Sequence, residues 1–449
     1  MPCPARALGR ATPARAGLPP GLQPARVRLV SEGSAPKKVE GRGALQALNF
    51  FMADMQAGVG PFLGVFLSAH GWRTGPIGTV MTLGGVAGMA VTAPAGALID
   101  RTSRKRLYVI VSGVCTVLAS ALILLSQQFW VVAGSQIATA VAGAAIGPAV
   151  VGITLGMFRQ NGFNAQNGRN QAWNHAGNMV GAALSGLVGW KFGLPAVFVL
   201  AAVFGVLAIA SVLMIPRSAI DDRAARGLAE GEDGAGAEGF QVLLQSRPLL
   251  ILAAALALFH LGNGGLLPLY GLAVTQAHQG NPAQLVALTI VVAQAVMVVA
   301  SIVAMRMADR RGYWLVMLIT FIALPIRGLI AAGVITWWGV FPVQILDGVG
   351  AGLQSVAVPG LVARVLDGTG RVNVGQGAVM TVQGVGASLS PAFGGWLAQA
   401  LGYPVTFALL GSLALGSLAL WLVFAPVLKP ACAVTRDGDG DPDLTTACA

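Results

Sequence analysis

The sequence predicts an all-α membrane protein, with twelve transmembrane helices in two pseudo-symmetric six-helix bundles. Three observations carry that expectation. Of 449 residues, 55% are hydrophobic and 10% charged, against about 25% charged in a soluble domain. Apolar runs of about 20 residues, the length of helix that crosses hydrocarbon, recur along the chain. Landmarks also repeat at an offset of 209 positions. Asp100-Arg101 recurs as Asp309-Arg310, and Gly177, Gly186, Gly193, Pro195 and Phe198 recur as Gly386, Gly395, Gly402, Pro404 and Phe407. Parallel repeats of several spanning helices are a signature of alternating-access transporters, so the repeat bears on mechanism as well as location.

Residues 1–43 are rich in Pro, Arg and Gly and lack the apolar centre of a secretory signal. They read as a disordered cytoplasmic segment. Six spans near 45–68, 76–99, 107–126, 130–155, 172–192 and 195–216 make a first bundle over 44–216. A linker over 217–247 carries Asp221, Asp222, Glu230, Glu232, Asp233 and Glu238 among Gly and Ala, a polar and flexible composition. Six further spans near 248–273, 285–305, 313–333, 338–362, 376–400 and 404–428 make a second bundle over 248–428. Residues 429–449 read as a cytoplasmic tail. Its run from Asp437 to Asp441 begins like a calcium loop, but Pro442 and Cys448 stand where that loop needs Gly and Glu, so no calcium site is expected. The 61 glycines suit close helix packing in a bilayer.

The net charge of +11 is distributed asymmetrically. Of 28 Lys and Arg, 25 fall in the amino-terminal segment, in connections on one side, and in the tail. Arg73 and Lys191 lie on the far side, and Arg327 lies inside a span. This is the positive-inside pattern. It predicts an inner (cytoplasmic) membrane protein with both termini in the cytoplasm, and it argues against nucleic acid as a partner. Cys3, Cys115, Cys432 and Cys448 show neither metal-ligand spacing nor a disulfide framework. No phosphate-binding loop is present, so ATP is not expected to drive the protein. Neither a metal nor another cofactor is implied, and the chain is expected to act as a monomer.

The segment Gly96-Ala-Leu-Ile-Asp100-Arg101-Thr-Ser-Arg104-Lys105 resembles the signature loop between the second and third helices of the major facilitator superfamily, with Ser103 in place of a second Gly. The repeat copy, Met305 to Tyr313, keeps Asp309, Arg310 and Gly312. The stretch Gly386 to Gly395 resembles a glycine-rich pattern of antiporters in that superfamily, here in helix eleven rather than helix five. The resemblance spans about residues 44–428. It implies two bundles rocking about a central cavity, with no enzymatic activity. Gly96, Asp100, Arg101, Arg104, Lys105, Asp309 and Arg310 would then form gating loops. Asp100 and Asp309 can accept amide hydrogens at a neighbouring helix start. Arg101, Arg104 and Lys105 can pair with acids or lipid phosphates, or simply hold the loop inside.

Within the spans the charged groups are Asp54, Arg327 and Asp347. A charge at mid-bilayer costs ~2.5–3.5 kcal/mol on insertion scales. Arg327 and Asp347 lie on consecutive antiparallel spans, ~9 Å and ~13 Å from one face at helical rise, so they can meet. That makes them a structural ion pair, while helix ten of the superfamily lines the cavity and would also let Asp347 face substrate. Asp54 has no base at its depth in its own half. An unpaired carboxyl in a low-dielectric site favours its neutral form, which suits proton coupling. The alternative is a neutral Asp hydrogen-bonded to a neighbouring helix. Gln56, Gln136, Asn174, His175, Asn178, His260, Asn263, Gln294, Gln344, Gln354 and Gln383, with Asp347, are the expected substrate-cavity groups. Each could equally serve helix-to-helix hydrogen bonding. As a set, amides and imidazoles predominate, which suits a polar or amphipathic small-molecule substrate. Proton-linked drug antiporters of the superfamily carry an Arg in helix four, followed by a Gln and a Gly-rich run; here Gln136 precedes Ala142-Gly143 with no Arg, and helix ten has Gln344 where the Arg would be.

The sequence therefore predicts a transporter of a small organic or toxic solute, exporting it in exchange for protons. An uptake symporter or facilitator would use the same cavity. A receptor on a transporter scaffold is a separate class.

Overall fold

The computed structural model describes residues 40–57, 59–221, 224, 244–366 and 372–433, all within the compact unit Val39–Ala449. The predicted amino-terminal segment up to residue 39, most of the linker and the tail beyond residue 433 lie outside the described residues, as do the side chains of Asp54, Gln56, Asp100 and Arg101.

The first half comprises α1 (Arg42–Ala57), α2 (Val59–Ala69), α3 (Thr74–Arg101), α4 (Lys105–Leu125), α5 (Phe129–Gly143), α6 (Ile146–Phe192) and α7 (Pro195–Leu213). The second comprises α8 (Arg247–Asn263), α9 (Leu266–Gln276), α10 (Pro282–Arg311), α11 (Tyr313–Gly333), α12 (Val340–Val365), α13 (Val372–Leu401), α14 (Tyr403–Val423) and α15 (Ala425–Cys432). Among the described residues, nine helical segments are long and apolar enough to cross a membrane. The other predicted spans, near 45–68, 172–192 and 376–400, coincide with α1 and α2, the later part of α6, and α13. Those segments are richer in Gly, Asn and Gln, which lowers their hydropathy.

Local chemistry sets the helix ends. Asn281 caps α10, its Oδ1 accepting from Ala283 N at 3.0 Å and Gln284 N at 3.3 Å, and Pro282 follows at the first helical position. Gly193 and Gly402, one repeat apart, take φ of 85° and 80°. That left-handed backbone suits Gly alone, and it lets one span end and the next begin at Pro195 or Tyr403.

The repeated glycines hold matching places in the packing. A Cβ on Gly177 would overlap Phe50 O of α1, and one on Gly386 would overlap Ala257 O of α8. A Cβ on Gly186 would strike Ala287 of α10, and one on Gly395 would strike Thr74 O and Gly78 of α3. The first pair closes each half on itself. The second joins the halves, α6 to α10 and α13 to α3.

Three features depart from the sequence reading. Helix five was expected from residue 172. Instead α6 runs unbroken from Ile146 to Phe192 except at Arg159, where φ is 52° and ψ 179°. A non-glycine residue there costs about 1–3 kcal/mol. The Arg159–Asp221 ion pair at 3.1 Å and Asp221 N donating to Gly156 O at 3.0 Å hold the turn. Residues 160–171 look like loop by polarity, yet Gln166 Nε2 donates to Asn170 Oδ1 and Asn170 Nδ2 to Thr154 Oγ1, both at 2.9 Å, inside a helix contact.

The last span, expected to reach residue 428, ends at Val423. Short helix α15 follows, with Leu428 and Cys432 buried. Arg364 of α12 donates to Cys432 O at 3.2 Å and to Ala433 O, the carbonyls a helix end leaves unpaired. Lys429 sits over the Trp314 ring at 4.7 Å. Burial pushes the Cys432 thiol up to about 12, against the opposing pull of Arg364, so it stays a thiol in the physiological range. Cys432 is expected to react slowly with maleimide in the folded protein, and more slowly still in Arg364→Ala, where the pull that favours the thiolate is lost, read by mass spectrometry.

Finally, the span expected over 248–273 is divided into α8 and α9. At that break, Gly265 N donates to buried Ser390 Oγ at 2.7 Å. A side chain inserted into the helical ladder bends it there.

Candidate transport pathway and its charge network

The two halves meet along three seams. On the first, between α3 and α13, Gly75 N donates to Gln399 Oε1 at 3.2 Å. Trp396 Nε1 donates to Thr79 Oγ1 and Ala392 N to Thr82 Oγ1, each at 3.0 Å. On the second, between α6 and α10, Gly189 packs on Ala283 and Gly186 on Ala287. On the third, half-helices α2 and α9 meet through Gly64 against Leu272 and Gln276 Nε2 donating to Ser68 Oγ at 3.2 Å. These contacts crowd the end that holds Gly71, Gly193, Gly280 and Gly402, called here the far end. Trp130, Trp190, Trp337 and Trp338 are exposed there, the ring of indoles expected at a membrane surface. A cleft of ≈ 380 Å³ beside Ser68, Thr275, Gln276 and His278 belongs to this same end and lies apart from the charged groups.

The charge network sits within the second half. Arg327 is 1% exposed. Its Nη1 donates to Asp347 Oδ1 at 2.7 Å and to Asn263 Oδ1. Its Nε donates to Val343 O at 3.1 Å and its Nη2 to Gln344 Oε1 at 3.4 Å. Asn263 Nδ2 in turn donates to Asp347 Oδ1 at 3.2 Å. Every nitrogen of the guanidinium is thereby engaged, which offsets the large cost of removing it from water. Beside this cluster, His260 Nε2 and Gln354 Oε1 lie 3.0 Å apart. The side chains of α8 and α12 thus form a polar seam two rungs long.

Placement of the other expected groups is uneven. Gln344 was expected in the cavity, but its side chain is fully buried, because the guanidinium above it needs an acceptor. Gln354 is also buried. Gln136 backs onto Gly84 through its Cβ. Gln383 and Asn178 are half-buried on α13 and α6. Asn174 Nδ2 donates to Asn49 O at 3.4 Å. His175 Nδ1 pairs with Gln294 Oε1 at 3.0 Å, across the two halves.

In the signature loop, Lys105 is 2% exposed. Its Nζ donates to Ile99 O and Thr102 O at 2.9 Å. Ile99 O also accepts from Thr102 N at 3.3 Å, so a buried ammonium tightens the turn that ends α3. Arg104 is exposed, as are Asp309 and Arg310. Gly96 has open space where a Cβ would go. Asn49, Thr154, Gln166, Asn170 and Ser390 were not singled out in the sequence. The fourfold spacing of 166, 170, 174 and 178 was the legible signal, since such residues share a helix face.

An all-helical membrane protein of two like halves, joined along seams at one end, defines a secondary transporter rather than an enzyme. The chain belongs to the Major Facilitator Superfamily, whose signature matches residues 44–372 and 256–440. It is 36% identical over 386 residues to the uncharacterized MFS-type transporter Rv2456c of Mycobacterium tuberculosis (strain H37Rv), covering 85% of this chain and 92% of that protein. The counterpart in strain CDC 1551 matches equally. Among solved structures, the nucleoside transporter NupG aligns with TM-score 0.70 and 15% identity, over 87% of this chain and 99% of NupG. A bacterial homologue of the human lysosomal transporter Spinster, inward-facing and unoccupied, aligns with TM-score 0.65 and 16% identity, over 89% and 98%. At those identities the likeness is one of fold.

Proposed function

We propose that the protein is a proton-coupled exporter of a small organic or toxic solute, working by rocking-bundle alternating access in the inner membrane. The observation that carries this reading is the grouping of cross-half contacts at the far end. With both termini in the cytoplasm, that end faces outward, and contacts grouped there are what a state shut on the outer side requires. Asp54 on α1 loads and releases the proton. The solute cavity is lined by neutral groups, among them Asn174, Asn178, His260, Gln136, Gln383 and Gln56. Arg327, the cation buried within the second half among the described residues, is saturated by its own neighbours and so is not free to meet a solute. That favours a neutral or cationic polar compound over an anion. The signature-loop residues Asp100 and Arg101, with Asp309 and Arg310 in the second copy, act at the cytoplasmic gate. A monomer in the bilayer suffices, with no nucleic-acid partner.

Uptake by symport, or facilitated passage, uses the same cavity and is the second reading. The absence of an Arg ahead of Gln136 in helix four favours it, because the usual antiporter relay lacks its base. A growth screen of overexpressing and deleted strains against toxic compounds and scarce nutrients separates the two. Resistance on overexpression is the expected result, and a nutrient phenotype without resistance would establish uptake instead. A receptor on this scaffold would bind solute without flux in proteoliposomes.

A further inference from the structure

We infer that the His175–Gln294 hydrogen bond is the tie that sets the balance between the two conformations, holding the far end shut; this rests on the alternating-access reading above. Along the α6–α10 seam the contacts run inward from Gly189 on Ala283 to Gly186 on Ala287 and end at His175 on Gln294, 3.0 Å apart. From Gly189 to His175 is ~21 Å of helix, so this bond is the innermost of these three contacts. The contacts outside it are small apolar groups in van der Waals touch, which have no directional preference.

The other seam supplies the contrast. The repeat offset takes His175 to Gly384 and Gln294 back to Gly85. Both equivalents of the bonded pair are therefore glycine, on the α3–α13 seam, where a Cβ would press on Met89 and Ser388. One seam is glycine against neighbour at this depth. Its pseudo-symmetric partner is an imidazole bonded to an amide. The halves cannot part at the far end without breaking that bond, and nothing at the equivalent place on the other seam replaces it. His175 and Gln294 are thus positioning residues for the conformational cycle rather than solute ligands.

The test is cysteine accessibility. Thr74 packs under Gly395 on the opposite seam and is 7% exposed, so it reports parting of the whole far end. Thr74→Cys is placed in a background with Cys3, Cys115, Cys432 and Cys448 changed to alanine. Right-side-out vesicles are treated with an impermeant maleimide. His175→Ala and Gln294→Ala are each expected to raise the labelling rate by about threefold to tenfold, the range a lost neutral hydrogen bond allows. The double variant is expected to label no faster than either single one. Ser417→Cys, fully buried within the second half, serves as the control and is expected to stay unlabelled throughout. Unchanged Thr74→Cys labelling in both single variants would overturn the tie, as would an additive double variant or a parallel rise at Ser417→Cys. Labelling absent from every variant, the parent included, would overturn alternating access and the tie together.

Discussion

Arg327→Ala is expected to lose most of its folded yield in the membrane. Removing the guanidinium leaves the Asp347 carboxyl without its cation, while Asn263 Oδ1 and Gln344 Oε1 lose their donor. Breaking a buried pair from one side costs about 3–5 kcal/mol, a large part of an ordinary stability of about 5–15 kcal/mol. Changing Asp347 to alanine as well removes the stranded carboxyl and is expected to restore part of the yield. The two effects should therefore be far from additive. The measurement is monodisperse protein recovered in detergent for wild type, both single variants and the double. A single Arg327→Ala variant with wild-type recovery would show that the pair carries no folding load.

Asp54→Asn is expected to fold normally and to lose flux driven by a pH gradient. The amide keeps the size and hydrogen bonding of the acid but cannot exchange a proton. Its neighbour Ala53 is 2% exposed, so the α1 backbone here is closely packed and an isosteric change is the right probe. Proteoliposomes with an imposed pH difference read the effect, and solute counterflow without a gradient serves as the control. Retained counterflow with lost gradient-driven flux assigns the proton to Asp54. Undiminished gradient-driven flux removes this residue from coupling.

Much of the architecture was readable because it rests on chemistry that survives in one dimension. Apolar length sets the spans. The 209-residue offset matched glycines whose shared reason, close backbone approach, is visible once Gly177 and Gly386 are seen against α1 and α8. Arg327 and Asp347 could be brought to one depth by counting helical rise. What sequence could not convey was which way a polar group turns within a bundle. Gln344 and Gln354 look like cavity groups until the neighbouring helices are in place. Lys105 looks like a surface cation until the carbonyls of α3 draw it in. Residues 160–171 have the composition of a loop, but Asn170 takes a bond from Gln166 and gives one to Thr154 before the turn at Arg159. Helix α15 was lost for a related reason: eight residues with two prolines have little helical tendency alone, and Arg364 supplies the missing cap.

The joint between α3 and α13 has one more consequence. At Gly78 and Gly395 the main chains themselves lie in contact, with no rotatable group between them to fold aside. Such a joint loosens poorly by degrees, because a gap of about 0.5–1 Å already forfeits roughly a quarter to a half of its van der Waals attraction. The transporter should therefore switch rather than flex, spending little time half-parted. A carrier that skips intermediate apertures has few moments in which ions can slip through unaccompanied.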